Sequence, residues 1–475
     1  MSKSKKNIKI SFLGKNSEEV TGSMILIETP NKKILLEAGL YQSNNIKTDY
    51  MVNSRKLNFK PKEIDYIFIG HPHIDHIGLL PRLFAEGCNA KVIAVKNTNK
   101  ISKVLLEDSA FIMSRDVDYL SRKSDITYKP IYENKDVGKT HENMIEFDYG
   151  EIYTLDDEIS FEFVPSGHII CAAQTVIYIK EGNHTHKILY TSDLGNIQLD
   201  KPFVKKFKPV HKSTIVIGES TYGLDSKTVN KKKRDKDIEK IKTVIETTCI
   251  ERKARVLIPC FSLDRTQMML KMIYDLFSKD ESFNIPIIID SPLSNKITDV
   301  YKNILEGEDK DLIDEITNWK NVRFISDAQD SKSCVADKSP KVIISASGMM
   351  TAGRSRHYVK SILPNTNDTI LFCGFSTEGS LAGKIKNAKN QKTITIDKKV
   401  YKNKCGITCL NSFSSHMQRE DLINYYKSIN STAIYLVHGD IDGKISLKRD
   451  LEEELRKMGK TTKVVCVNKS TRVSL

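Results

Sequence analysis

No apolar stretch in the 475 residues approaches the roughly 20 residues needed to cross a bilayer, which excludes a helical membrane protein. Lys3, Lys5 and Lys6 precede only the short strand-like run from Ile8 to Leu13 and not a signal-peptide core, so a cytoplasmic location is expected. The nine cysteines are odd in number and show no paired framework, as expected in a reducing compartment rather than in a disulfide-stapled secreted chain. Cys405 and Cys409 lie four apart in CGITC, but no second pair supplies the spacing of a structural zinc site, and both read as buried or half-buried thiols. There are no internal repeats, no long low-complexity linker and no KH-like or RRM-like module.

What is present is ordinary in bulk: 28% charged and 39% apolar residues, with length enough for two or three domains, each with its own core. The net charge of +14 favours a polyanionic partner, because cations near phosphates release counterions. The run Lys231-Lys232-Lys233-Arg234-Asp235-Lys236 reads as a solvated helix start rather than a specific contact surface.

One segment is not ordinary. His71-Pro72-His73-Ile74-Asp75-His76 places three imidazoles and a carboxylate directly after the apolar run Tyr66-Ile67-Phe68-Ile69-Gly70. That run reads as a buried strand, so His71 and His73 can face one way while Asp75 and His76 begin a helix, and two neighbouring ions can be served. Imidazole and carboxylate without thiolate suit Zn²⁺, with Mn²⁺ or Fe as alternatives, and a site lacking Cys ligands is more often catalytic than structural. Four ligands do not close two coordination shells. Further donors are expected at the ends of later strands: His168, Asp193 and His438 each follow an apolar run and precede turn or helix signals. Elsewhere, Ser347-Gly348 through Arg354 follows a buried strand and precedes a helix. Backbone amides at such a turn can cradle a phosphate, with Arg354 or Arg265 adding a planar cationic fork; on pattern alone a structural turn between strand and helix fits nearly as well.

Strand-like and helical stretches alternate, which argues for α/β layers. Short strands crowd the chain to about Gly223, interrupted between Asn99 and Lys139 by a polar helical excursion that reads as surface helix and loop near the mouth of the site. From Leu224 a long charged helix precedes buried runs at 255–259, 285–290, 342–345 and 369–374, which alternate with helices as in a parallel, doubly wound sheet. After Phe413 the first pattern returns, and His438 reaches the other donors only if this tail folds back.

The order HxHxDH, strand-end His168, strand-end Asp193 and distant His438 resembles the metallo-β-lactamase superfamily of dinuclear metal hydrolases. Glu219-Ser220-Thr221-Tyr222-Gly223 resembles motif A of its β-CASP nuclease branch, Ser414-Ser415-His416 motif B, and Leu436-Val437-His438-Gly439 motif C. Val20-Thr21-Gly22-Ser23, Ile258-Pro259-Cys260-Phe261-Ser262 with Arg265-Thr266-Gln267, and Ser345-Ala346-Ser347-Gly348-Met349-Met350 agree further, so the match covers nearly the whole chain. Within the branch the chain is similar to the endonuclease of messenger-RNA 3′-end cleavage and its short prokaryotic relatives.

The resemblance implies an α/β fold: an αββα sandwich made of residues 1–223 and 412–475, with a β-CASP domain, a Rossmann-like parallel sheet, inserted at 224–411. It implies two Zn²⁺ ions, one held by His71, His73 and His168, the other by Asp75, His76 and His438, with Asp193 bridging. Asp75 would also orient the attacking hydroxide, and His416, backed by Glu219, would protonate the leaving ribose oxygen. In Ile34-Leu35-Leu36-Glu37-Ala38-Gly39, Glu37 stands where the family usually has Asp. Its implied role is to orient metal ligands from behind, and the extra methylene would shift its carboxylate by roughly an ångström or more unless the backbone compensates. The implied activity is hydrolysis of single-stranded RNA, endonucleolytic and also 5′–3′ exonucleolytic as in some relatives, with His438 at motif C pointing to RNA; relatives often form homodimers. Three rivals remain: a DNA nuclease of the same fold, a small-molecule metallo-hydrolase, and a non-catalytic RNA-binding subunit. Matched RNA and DNA strands discriminate the first. The inserted domain and motifs A to C weigh against the second, and the intact ligand set weighs against the third.

Overall fold

The computed structural model describes residues 8–224, 229–374, 376–388 and 392–475; Lys3, Lys5 and Lys6 lie outside these. Contacts divide the chain into two units, the first made of Met1–Ile197, Val204–Thr228 and Ser415–Leu475, the second of Gln198–Phe203 and Val229–Ser414.

The first unit holds two seven-stranded sheets. One runs, in spatial order, Arg472–Ser474, Lys9–Phe12, Ile25–Glu28, Lys33–Leu36, Tyr66–Phe68, Lys91–Val95 and Met144–Phe147. The other runs Lys463–Cys466, Ala433–Val437, Ile215–Glu219, His184–Tyr190, Ala173–Glu181, Ile159–Pro165 and Ile152–Thr154. The chain's last segment contributes to both: Val473 pairs with Ile10, and Val437 lies in parallel register with Glu219. The tail does fold back, as the position of His438 requires.

Strands such as Ile25-Leu26-Ile27 are apolar at every position because both faces are buried. On the outer face of the first sheet, Leu26, Leu35, Ile67, Val92 and Ala94 cluster with Leu80, Leu83, Leu106, Ala110 and Met113 of its covering helices. On the outer face of the second, Val176, Leu189, Val216, Ile434 and Leu436 cluster with Leu422 and Tyr426 of helix Arg419–Ser428 and Leu447, Leu451 and Leu455 of helix Ile441–Lys457. The opposite faces meet, with Phe68 of one sheet edge-on to Phe161 of the other at 5.1 Å between ring centres. The result is an αββα sandwich.

The excursion after Asn99 is helix and loop, as expected, with residues 123–133 connecting helix Thr98–Arg122 to helix Asn134–Glu142. Helix Thr98–Arg122 buries Ile101, Leu105, Leu106, Ala110, Met113, Val117 and Leu120 at three- and four-residue intervals, so its polar composition lies on the outward face of a helix that covers the first sheet.

In the second unit a six-stranded sheet runs Val322–Ile325, Ile287–Asp290, Lys341–Ser345, Arg255–Pro259, Thr369–Phe372 and Gly406–Cys409, with every neighbouring pair parallel. Counted along the chain the order is 3-2-4-1-5-6, whereas dinucleotide-binding sheets run 3-2-1-4-5-6. The CGITC segment supplies the last strand, with Cys405 buried and Cys409 half-buried. Helix Lys231–Ile245 begins with its lysines exposed and with Asn230 accepting from the Lys233 amide, which fits a solvated helix start.

Among the described residues, the sheet carries one ion pair with both side chains fully buried. Arg255 and Asp368 are both fully buried, with Nη2 to Oδ2 at 2.6 Å, and Asp368 also accepts from the Arg255 amide at 2.8 Å while Nη1 donates to Ser361 at 3.0 Å. Removing one partner strands a buried charge. Asp368→Ala should therefore destabilise the second unit by about 3–5 kcal/mol in urea unfolding followed by a probe in that unit, and a loss below about 1 kcal/mol would show that the pair is not closed as described.

Candidate metal centre

Strand direction gathers the site. The ends of Lys33–Leu36 and Tyr66–Phe68 in the first sheet, and of Ile159–Pro165, His184–Tyr190, Ile215–Glu219 and Ala433–Val437 in the second, deliver Glu37, His71, His168, Asp193, Glu219 and His438 to one edge of the sandwich. His73 then begins the short helix Ile74–Ile77, whose first turn carries Asp75 and His76. Two glycines let these loops touch. A Cβ at Gly39 would collide with the Asp75 carbonyl, and one at Gly70 with the Ser192 hydroxyl. Glu37, Ser192 and His438 all sit at positive φ (62°, 48° and 51°), a conformation non-glycine residues rarely adopt and one that clusters at functional sites.

Three donor groups result. In one, ligand atoms of His71, His73, His168 and Asp193 lie within 4.8 Å of one another; in the second, those of Asp75, His76 and His438 do; in the third, those of Glu37, His71 and His76 do. Asp193 faces the first two. Its Oδ2 is 3.6 Å from Nε2 of His71 and of His168, and its Oδ1 is 3.4 Å from His76 Nε2 and 3.5 Å from His438 Nδ1. His438 Nε2 is 3.5 Å from Asp75 Oδ2. The buried Nε2 atoms of His76 and His438 and Oδ1 of Asp193 have no hydrogen-bond partner among the described residues. Buried polar atoms without partners are costly, and imidazole with carboxylate is the donor set a hard-to-borderline divalent cation accepts, so these residues fit such an ion. His141, His184, His186, His211 and His357 join no such group among the described residues.

The opposite ring nitrogens are held from behind. Glu37, fully buried, accepts at Oε1 from the Gly70 amide at 3.0 Å and from the Ser192 hydroxyl at 3.1 Å, and the same oxygen is 3.2 Å from His76 Nδ1. Ser192 Oγ, its proton given to Glu37, is left to accept from His71 Nδ1 at 3.1 Å. Thr221 Oγ1 lies 2.9 Å from His438 Nδ1. Each contact leaves the Nε2 lone pair directed inward. The Glu37 carboxylate reaches His76 with the extra methylene in place. Ser192 and Thr221 were assigned no role from sequence, although their adjacency to Asp193 and to motif A was the available signal.

Charge density shapes the protonation of the cluster. Burial and then the neighbouring imidazoles hold His71 well below its ordinary value. At His76 burial acts downward, but Asp193, Asp75 and Glu37 outweigh it and push the imidazole up to about 10. Burial acts to raise Asp75, yet His76 and His438 outweigh it and hold the carboxyl below its usual range. Three carboxylates thus favour positive charge at the centre of the cluster.

His416 stands beside it. Its Nδ1 is 3.3 Å from Glu219 Oε1, and its Nε2 points toward Asp193 Oδ2 at 4.0 Å. Glu219 is fixed by the Leu194 amide at 2.8 Å and the Thr221 amide at 3.1 Å, and Tyr426 donates to its carbonyl at 2.7 Å. Helix Arg419–Ser428 starts after Gln418 without a side-chain cap, so His416 has no capping duty. The side chains of Asp75 and His416 keep 24% and 22% of their exposure against 5% or less for His71, His76, His168, Asp193 and His438; the cluster opens to solvent on their side.

In the second unit, Arg265 and Gly348 line one small pocket with Phe261, Cys373 and Ser376. Arg354 does not serve as the phosphate fork expected from sequence: its guanidinium is occupied by Asp290 and by the carbonyls of Ile325, at 3.1 Å, and Ser326, at 2.6 Å. The Ser347 hydroxyl bonds to the Ala352 carbonyl at 3.3 Å, within its own turn.

Three family descriptions match in order along the chain: metallo-beta-lactamase superfamily over residues 18–205, Beta-Casp domain over 266–385, and Zn-dependent metallo-hydrolase RNA specificity domain over 400–465. The chain belongs to the β-CASP family of metallo-β-lactamase proteins. Among relatives of this β-CASP chain, Ribonuclease TTHA0252 of Thermus thermophilus is 24% identical over 454 residues, covering 93% of this chain and 97% of that protein. Transcription termination factor FttA of Methanothermobacter thermautotrophicus is 28% identical over 439 residues, 89% of this chain; the match spans 65% of the FttA length. A crystal structure of a protein of unknown function from Enterococcus faecalis V583 shares the fold at a TM-score of 0.53, with 12% identity, over 99% of this chain and 100% of that one.

Contacts behind a metal ligand are worth about 10- to 100-fold in affinity or activity. Glu37→Gln, which keeps an acceptor oxygen for Gly70 and Ser192 but removes the negative charge beside His76, should weaken zinc binding by that factor in a competitive chelator titration. Glu37→Asp should also weaken it, because the shortened side chain draws back from His76; zinc affinity unchanged in both variants would remove Glu37 from this role.

Proposed function

We propose that this chain is a zinc-dependent ribonuclease that hydrolyses phosphodiester bonds of single-stranded RNA, with His71, His73 and His168 holding one cation, Asp75, His76 and His438 the other, and Asp193 shared between them. The observation that carries this reading is the Asp193 carboxylate, whose two oxygens face different histidine groups. When bound, a cation pair lowers the pKa of water and offsets the negative charge that grows on a phosphoryl group under in-line attack. Asp75, at the open side of the cluster, is positioned to orient the attacking oxygen as well as to serve as a ligand.

The remaining chemistry belongs to His416. With Nδ1 directed at the pinned Glu219 carboxylate, an imidazolium there presents its Nε2 proton toward the cluster, where a leaving ribose oxygen can take it. Cleavage then leaves a 3′-hydroxyl and a 5′-phosphate. The match to an RNA specificity domain over residues 400–465, and the relative named a ribonuclease that is matched over 97% of its length, support RNA as the substrate. Of the residues read from sequence as phosphate contacts, Arg265 and Gly348 share a small cavity, but the Arg265 guanidinium donates to the Cys373 carbonyl as that of Arg354 does to Ile325 and Ser326, so both arginines are engaged within the second unit.

The test is incubation of metal-analysed protein with 5′-labelled and 3′-labelled single-stranded RNA and the matched DNA. Internal fragments from both labels on RNA, with DNA intact, are expected; mononucleotides alone would assign exonuclease action, and equal cutting of DNA would reassign the substrate. His416→Ala should lower turnover by about 10²- to 10⁴-fold with metal content unchanged. Loss of zinc from that variant would make His416 a ligand instead.

A further inference from the structure

We propose that Cys260 and Cys373, in the second unit, are a redox-active pair that closes reversibly to a disulfide. Nothing in the metal-centre reading requires these residues, and the inference stands apart from it.

The pairing follows from sheet register. Arg255–Pro259 and Thr369–Phe372 are adjacent parallel strands in which Val256 faces Thr369 and Leu257 faces Ile370. Continuing three residues brings Cys260 opposite Cys373, each one residue past its strand's end. Neighbouring strands lie about 4.8 Å apart, inside the Cα range that a disulfide spans. The side chains point at each other, with the two sulfurs 3.5 Å apart. Of the nine cysteines, none of which is bonded to another, this is the pair whose sulfurs are in mutual contact among the described residues. Closure brings the sulfurs from 3.5 Å to the bonded distance of about 2.05 Å.

The surroundings divide the two roles. Cys373 sits with Arg265 donating to its carbonyl and Lys386 donating to the Gly374 carbonyl at 2.5 Å, two cations beside one sulfur. Contact with Cys260, and then Arg265 and Lys386, holds the Cys373 thiol below its ordinary value against burial, while burial pushes Cys260 well above its own. The two cations on its side assign Cys373 the attacking role and leave Cys260 to answer it. Both are buried, but Cys373 lines a cavity of about 10 Å³, room for one molecule near the size of water, together with Phe261, which is 46% exposed.

With hydrogen peroxide as oxidant the chemistry balances in two steps. The Cys373 thiolate attacks one peroxide oxygen, the O–O bond breaks, and the departing hydroxide takes a proton to leave as water, giving a sulfenic acid. The Cys260 sulfur then attacks the Cys373 sulfur, the S–O bond breaks, the hydroxide leaves with the Cys260 proton as a second water, and the S–S bond forms. Two thiols lose two electrons to one peroxide. A dithiol such as dithiothreitol reverses the result by exchange. Closure would tie the turn after Pro259, which leads to Arg265, to the turn after Phe372, at the carboxyl ends of parallel strands where ligands of such sheets bind.

The full-length protein, as purified under reducing conditions, is treated with a few molar equivalents of hydrogen peroxide, quenched by alkylation, unfolded and digested without reductant. The expected result is a fall from nine titratable thiols to seven, one cross-linked peptide pair joining Cys260 to Cys373, and return to nine after dithiothreitol. Cys260→Ser should abolish the cross-link and leave Cys373 to accumulate as sulfinic acid. Because Cys260→Ser sets a hydroxyl in a buried position, the wild-type protein also carries the test through native alkylation, in which Cys373 should be modified before Cys88, Cys249 and Cys405. Nine thiols surviving peroxide, or cross-links scattered over other cysteines, would overturn the proposal.

Discussion

The Asp193 carboxylate is the constraint from which the rest of the first unit follows. Its two oxygens face separate sets of imidazoles, so donors scattered over the chain from His71 to His438 must arrive within a few ångströms of one buried group. Only strand ends pointing the same way can do this, and the sandwich supplies them by drawing strands of both sheets to a common edge. The return of the tail is part of the same requirement: His438 follows a strand that pairs with the strand ending in Glu219, so one register places His438 and the carboxylate beside His416 next to each other.

Holding so many donors together has a structural cost. Three of the loops involved adopt positive φ at non-glycine residues, and two glycines are needed where backbone meets neighbour without room for a Cβ. The arrangement persists because the contacts behind the ligands over-determine it. Glu37 holds His76 directly and His71 through Ser192, so a single buried carboxylate sets one imidazole in each of the two groups that Asp193 faces. Asp193, Asp75 and Glu37 together outweigh burial and drive the imidazole of His76 upward, and a divalent cation is the natural counter-charge for the same carboxylates.

Much of this was legible in the sequence, for definite reasons. The spacing in HxHxDH encodes a strand end followed by a helical turn, and the structure has strand Tyr66–Phe68 followed by helix Ile74–Ile77. His168, Asp193 and His438 could be named because an apolar run ending in a polar donor is a local pattern. What could not be read was non-local. The long helix Thr98–Arg122 looked like a polar excursion because its apolar residues are diluted over seven turns, and only the sheet beneath gives them meaning. Arg354 looked free to grip a phosphate because its partner Asp290 lies 64 residues away, on another strand of the parallel sheet. The strand order of that sheet likewise leaves no trace in any one segment. Glu37 posed the reverse problem: its identity was plain, but whether the longer side chain fits depended on the contacts with Gly70 and Ser192.

The central claim is that two cations share Asp193, and anomalous diffraction at the zinc edge from zinc-loaded crystals tests it most directly. The account predicts two peaks, one against His71, His73 and His168 and the other against Asp75, His76 and His438, with a carboxylate oxygen of Asp193 on each. A single peak, or two peaks neither of which touches Asp193, would contradict it.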